Sequence, residues 1–135
     1  MCGILGYAGT EEAKPVLRAA LEKLRHRGPD DSGEWHGPGV SLGFVRLSIL
    51  DLSPAGHQPM VSADGRYVIV FNGEIYNFAE LRADLVAAGE HFNGHSDTEV
   101  LLKTFEINGF DACLKSLRGM FAFCIWDNKE RALYC

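Results

Sequence analysis

No stretch of this 135-residue sequence is apolar for long enough to cross a membrane as a helix. The N-terminus lacks the basic stretch followed by an apolar run that marks a secretory signal. A basic excess is also missing. Thirteen Lys and Arg stand against 18 Asp and Glu, a net charge of −5, which argues against a general nucleic-acid surface. The four cysteines, Cys2, Cys113, Cys124 and Cys135, contain no Cys-x-x-Cys pair. The five histidines form no ligand pattern, and His91 and His95 are separated by the turn-like Phe92-Asn93-Gly94 rather than by a helix. With no HExxH, Walker or G-x-G-x-x-G motif either, the reading contains no metal site and no nucleotide loop. These absences leave a cytoplasmic, reduced, soluble domain as the expectation. Its 47% hydrophobic content is enough for one core.

What is present begins at the second residue. A small residue after the initiator permits Met1 removal, and Cys2 would then carry a free α-amine beside its thiol. An α-amine has a pKa of about 7.7–8.0, so nucleophile and base share one residue.

Apolar periodicity organises the rest. Residues 3–9 read as a strand. Residues 13–25 read as a helix with Val16, Leu17, Ala20, Leu21 and Leu24 on one side. Gly28 to Gly33 reads as a loop, 40–50 as a strand, and Ser53 to Gly65 as a long surface loop. The run RYVIVFN at 66–72 predicts a central strand covered on both faces. Asn72-Gly73 then reads as a turn. Helices are expected at 78–88, with Leu81, Leu85 and Val86 aligned, at 97–108 behind a Ser96 or Asp97 cap, and at 111–117. Residues 119–126 read as a buried strand with Cys124 as a small buried hydrophobe, and Asp127 to Glu130 as a turn into 131–135. Cys113 is expected to pack within its helix.

Several segments point to chemistry. Arg46 is a lone cation in an apolar strand; a surface ion pair explains it, and so does a bidentate clamp on a substrate carboxylate. An Asn72 side-chain amide with the Gly73 N–H makes a two-donor oxyanion hole. Asp97 can cap a helix and also bind an ammonium group. The segment Arg25-His26-Arg27-Gly28-Pro29-Asp30-Asp31 reads as a helix end with a supporting role.

Together, MCGILG, RHRGPDDSGEW, RLSILDLSPAGHQPM, VIVFNGEIYNFAELRADL, HSDTEVLL and LRGMFAFCIWD resemble the glutaminase domain of class II glutamine amidotransferases. Within that class the chain is most similar to glutamine-hydrolysing asparagine synthetases and their relatives. The resemblance implies an α+β fold, the four-layer αββα sandwich of N-terminal nucleophile hydrolases, C-terminally truncated. Residues 1–135 would form one incomplete glutaminase domain with the synthetase domain absent. The implied reaction is hydrolysis of L-glutamine to glutamate and ammonia through a Cys2 thioester. That ammonia would serve ATP-dependent conversion of aspartate to asparagine in the full-length protein. The implied roles are Cys2 as nucleophile, Asn72 and Gly73 as oxyanion hole, Arg46 on the α-carboxylate, and Glu74 and Asp97 on the α-ammonium. Backbone groups of Leu47, Ser48, Ile49 and Leu50 would line the pocket. No cofactor is expected in this domain; ATP and Mg belong to the missing one. Expected partners are L-glutamine and the synthetase domain of the same chain, with a homodimer left open, and no nucleic acid or membrane. Two alternatives stand beside this reading: a glutamine-binding or structural module without turnover, and an amidotransferase with a sugar-type acceptor.

Overall fold

The computed structural model describes residues 2–9, 13–48 and 53–135. Strand β1 (Gly3–Ala8) leads to helix α1 (Ala13–Leu24) and a short 3-10 turn at Arg25–Arg27. Strands β2 (Asp31–Gly37) and β3 (Val40–Arg46) follow, then a 3-10 turn at Pro54–Gly56 and strand β4 (Met60–Val61). Strand β5 (Tyr67–Ile75), helices α2 (Phe78–Ala87) and α3 (Asp97–Ser116), and strands β6 (Gly119–Asp127) and β7 (Ala132–Tyr134) complete the described elements. None of the described helices is long and apolar enough to cross a membrane.

The strands form two antiparallel sheets, ordered β1-β3-β2 and β4-β5-β6-β7. Alternation of side chains along each strand sorts the core into three interfaces. From β3, Val40, Leu42 and Phe44 meet Val68 and Val70 of β5 and Trp126 of β6, between the sheets. The opposite face of β3 presents Val45 to Leu17 and Leu21 of α1. The opposite face of β5 presents Ile69, Phe71 and Ile75 to Leu101, Leu102 and Phe105 of α3. The order helix, sheet, sheet, helix is the expected four-layer sandwich. Val68, Ile69 and Val70 are fully buried, as a doubly covered strand requires. Each such side chain stabilises the fold by about 1.5–3 kcal/mol relative to exposure.

Several sequence expectations are corrected. Residues from Asp31 onward are not loop but the start of β2, the edge strand of its sheet. Gly33, read as a breaker, sits where the chain passes close: a Cβ there would lie 2.0 Å from the Gln58 carbonyl oxygen. The 53–65 segment is not simply surface loop, because it contains β4 and the buried Gln58. Strand β3 ends at Arg46 rather than continuing to residue 50. Asn72-Gly73 is not a turn. Both residues lie inside β5, paired with Ala122 and Phe121. Gly73 is required by crowding instead, since its Cβ would stand 2.4 Å from the Met120 carbonyl oxygen and 2.5 Å from the Phe121 Cα. Val16 and Val86 are exposed rather than core. Cys124 is half-buried.

The two helices expected at 97–108 and 111–117 meet end to end in α3, broken at Gly109, whose φ of 74° lies in the left-handed region that favours glycine. Ser96 caps α3, its Oγ accepting from the Glu99 N–H at 3.3 Å. The Glu99 carboxylate reaches back to the N–H groups of Asn93 (2.8 Å) and Gly94 (2.9 Å). That fixes the loop leading into the helix.

Candidate active site

Strand parity brings three of the expected side chains together. Ile4 faces the space between the sheets, so Cys2, two residues earlier, shares that face and packs against the inter-sheet cluster. Arg46 follows Phe44 by two, and Asn72 follows Val70 by two. Gly3 pairs with Val45, which sets the start of β1 beside the end of β3. The three side chains therefore converge where the inter-sheet core ends. They line a cavity of about 160 Å³ together with Leu47, Gly73, Glu74 and Asp97.

The Cys2 thiol is held by the main chain of Leu47. Its Sγ accepts from the Leu47 N–H at 3.4 Å and lies 3.6 Å from the Leu47 carbonyl oxygen. Arg27 Nε donates to the Cys2 carbonyl at 3.0 Å and so ties down the start of β1. Asp30 fixes the other wall: its N–H donates to the Arg46 carbonyl at 3.0 Å, and its Oδ2 accepts from the Ser48 N–H at 2.8 Å. The helix-end segment thus carries the supporting contacts through Arg27 and Asp30. Arg25 only pairs with the exposed Glu22. Burial pushes the Cys113 thiol up to about 11 and the free Cys124 thiol, which also shares a hydrogen bond with the Cys135 thiol, up to about 12. Neither is a thiolate source near neutral pH.

A row of N–H groups along one edge of β5 explains how donors reach the cavity. In an antiparallel strand successive N–H groups point to opposite sides. Those of Phe71 and Ile75 point away from β6, to the Gln58 Oε1 at 2.6 Å and the Asp97 Oδ2 at 3.1 Å. Tyr76, one residue on, donates the other way, to the Arg118 carbonyl at 2.7 Å. The Gly73 N–H, midway between Phe71 and Ile75, therefore points to the open edge, where Gly73 lines the cavity. Beside it, the buried Asn72 Oδ1 has no hydrogen-bond partner among the described residues. An unsatisfied buried acceptor costs about 1–3 kcal/mol, and a carboxamide can turn to offer its NH₂ group instead.

The cavity also holds opposed charges. Arg46 is 8% exposed and donates from Nη1 to the Ser53 carbonyl at 3.2 Å. Asp97 is 5% exposed. Burial pushes its carboxyl above the ordinary range, against the pull of the Ile75 N–H, and the nearby Glu74 charge pushes the same way. One guanidinium and two carboxylates thus line one small cavity.

Ser48 opens instead onto a neighbouring recess with Asp30, Asp31 and His57. Ile49 and Leu50 lie outside the described residues. Sequence reasoning missed Gln58, Thr98, Tyr76 and Met120, all of which line the cavity. Only the polar Gln58, standing between a histidine and a proline, offered any signal. Among the described residues no three His, Cys, Asp or Glu side chains are grouped to hold a metal ion.

Comparison with known proteins agrees with this geometry. A family model described as the glutamine amidotransferase domain matches residues 1–135. Asparagine synthetase [glutamine-hydrolyzing] 1 of Bacillus subtilis (strain 168) is 45% identical over 99% of this chain, which spans 22% of that protein. A putative asparagine synthetase [glutamine-hydrolyzing] 2 of Methanocaldococcus jannaschii is 41% identical over the whole chain, which spans 29% of it. The chain thus covers less than a third of the length of these curated relatives. Among solved structures, glutamine phosphoribosylpyrophosphate amidotransferase from B. subtilis aligns with a TM-score of 0.79 over 94% of this chain and 35% of its own, at 22% identity. That likeness shows the N-terminal nucleophile hydrolase fold. The chain belongs to the glutamine amidotransferase domain family.

Proposed function

We propose that this domain hydrolyses L-glutamine to glutamate and ammonia, with Cys2 as the nucleophile. The observation that carries the reading is the single small cavity onto which the Cys2 thiol, the Asn72–Gly73 pair and the Arg46, Glu74 and Asp97 charges all open.

In this mechanism Met1 is removed and the Cys2 α-amine is freed. Arg46 pairs with the glutamine α-carboxylate, and Glu74 and Asp97 hold its α-ammonium. The amine takes the thiol proton, directly or through one water, and the sulfur attacks the side-chain carbonyl carbon. The developing oxyanion accepts hydrogen bonds from the Gly73 N–H and the Asn72 amide. The C–N bond then breaks, the amine returns its proton to the leaving group, and ammonia departs. Water attacks the γ-glutamyl thioester, releasing glutamate and restoring the thiol. Arg27, through the Cys2 carbonyl, holds the nucleophile's backbone while its two functional groups react. Leu47 forms the wall behind the sulfur. Backbone groups of Ser48, Ile49 and Leu50 belong to the same proposal as glutamine contacts.

The acceptor of the ammonia lies outside these residues. The names of the relatives at 41–45% identity favour an asparagine-forming synthetase domain, and the proposal assigns aspartate, ATP and Mg to that domain. Domain boundaries of 1–135 for the glutaminase part belong to the same proposal.

The test is glutamine-dependent ammonia release by the intact protein. Cys2→Ala is expected to lower the rate by at least about 10⁴-fold, as loss of a covalent nucleophile does, while calorimetry still detects glutamine binding. A Cys2→Ala variant that releases ammonia at the wild-type rate contradicts the assignment. Glutamine binding without ammonia release by the wild type supports a binding module instead.

A further inference from the structure

The register of β4 against β5 stops short of the cavity. Met60 faces Ile69 and Val61 faces Val68. Continuing that count sets Pro59 opposite Val70 and Gln58 opposite Phe71. Strand β4 begins only after Pro59. The Phe71 N–H would be left without a strand partner, and the Gln58 side chain replaces the missing strand. Its Oε1 accepts from Phe71 N–H at 2.6 Å, and its Nε2 donates to Thr98 Oγ1 at 3.1 Å. Gln58 is 4% exposed and forms part of the cavity wall. One carboxamide thus joins the residue before Asn72 to the residue after Asp97.

The segment carrying Gln58 is itself pinned. The His57 ring and the Asp31 carboxylate of β2 are 2.6 Å apart. The Gln58 carbonyl packs against Gly33, where any larger residue would collide with it. Arg46 donates to Ser53 in the same segment.

We propose that Gln58 is a positioning residue for glutamine hydrolysis: its carboxamide fixes the spacing between the Asn72–Gly73 donors and the Asp97 carboxylate. The inference rests on the glutamine reading of the cavity. Oxyanion donors act only when held close to their productive geometry, and a misplacement of about 1 Å can cost about 100-fold in rate. An anchor through the adjacent residue, Phe71, is therefore worth more to turnover than to ground-state binding.

The experiment uses the intact protein with Gln58→Met, Thr98→Val and Thr98→Ser. Gln58→Met keeps the length of the side chain and removes both hydrogen bonds. Two inhibitors separate the roles. The γ-aldehyde of glutamate adds the Cys2 thiol to give a thiohemiacetal whose oxygen occupies the oxyanion position; glutamate occupies the same charges without that bond. For Gln58→Met, kcat is expected to fall about 10- to 100-fold with KM nearly unchanged. Aldehyde affinity should weaken in the same ratio, and glutamate affinity should hold. Thr98→Val should move the same quantities less, and Thr98→Ser should restore them. Should Gln58→Met fail to fold, Thr98→Val against Thr98→Ser carries the same test. Folded variants in which the aldehyde and glutamate weaken together, or in which neither changes, overturn the inference while leaving the glutamine reading intact. A wild type that neither hydrolyses glutamine nor binds the aldehyde overturns the glutamine reading, and this inference with it.

Discussion

The β5–β6 strand pair has two ends, and they treat buried polar groups in opposite ways. At the end where Tyr67 faces Asp127, the side chains of Asp127 and Asn128 are hydrogen-bonded. Asp127 is 1% exposed, and its carboxylate accepts from Arg66 Nε and Nη2, the latter at 2.7 Å, and from the N–H groups of Lys129 (2.8 Å) and Glu130 (3.2 Å). Asn128 bonds the Trp126 indole and the Gly65 carbonyl. The Arg66 bond holds the Asp127 carboxyl below its ordinary range. At the other end Asp97, nearly as buried, is pushed the opposite way by desolvation. Asn72 there keeps an unpartnered oxygen. The same two strands thus end once in a closed polar network and once in groups aimed at a cavity. The first arrangement stabilises the fold. The second costs stability, and that is the mark of a site built for a ligand.

The comparison can be broken at either end. The largest effect is expected at Asn72. Removing the proposed oxyanion donor in Asn72→Ala should lower kcat by about 10²–10³-fold, a loss of about 2.7–4 kcal/mol in the transition state. Its melting temperature should stay level or rise, because a buried unpartnered oxygen goes with the side chain. A parallel loss of stability would place Asn72 with the structural end.

Asp97→Asn comes next. Removing the charged partner proposed for the substrate ammonium, worth about 1.5–3 kcal/mol, should raise KM by about 10- to 100-fold in steady-state assays. The same change should raise the melting temperature at neutral pH. The sign follows from linkage. A carboxyl with a raised folded pKa loses stability as pH climbs from its unfolded value of about 3.9 through the folded one, and stays costly above it. Glutamine affinity should also fall, on acidification, at a higher pH than an ordinary carboxylate would cause. Asp97→Asn should abolish that component.

The smallest kinetic effect is expected at the Asp127 end. Asp127→Asn should leave kcat and KM unchanged and lower the melting temperature at pH 7 by on the order of 5 °C. Here the sign is reversed. A lowered folded pKa contributes stability above about pH 3.9 that disappears as pH falls through the folded value. Once the pH has fallen through that folded value, the variant and the wild type should converge in thermal melts.

Much of this was legible from residue spacing. The doubly covered strand at Val68–Val70, the helix facing it and the Ser96 cap follow from local pattern. Cys2 stands out by its place after the initiator, Arg46 by its charge in an apolar strand, and Asn72 by its amide beside Gly73. In the fold each sits two residues from an inward-facing neighbour: Ile4, Phe44 and Val70. What local pattern could not supply was the identity of distant partners. Asn72-Gly73 carries the strongest hairpin signal in the chain, yet β6, nearly 50 residues later, pairs straight through it. Strand β2 carries Asp, Ser, Glu and His among its seven residues, and only its pairing with β3 makes it a strand. Gln58 acquires its meaning from Phe71 and Thr98, 13 and 40 residues away. Nothing in its immediate neighbours encodes those bonds.

The most direct test of the account is mass spectrometry of the intact protein, acid-quenched during turnover of glutamine and then digested. The account predicts an N-terminal peptide beginning at Cys2, without Met1, part of it carrying a γ-glutamyl group on sulfur that hydroxylamine removes. Active protein whose N-terminal peptide retains Met1, or whose acyl group sits on any residue other than Cys2, contradicts it.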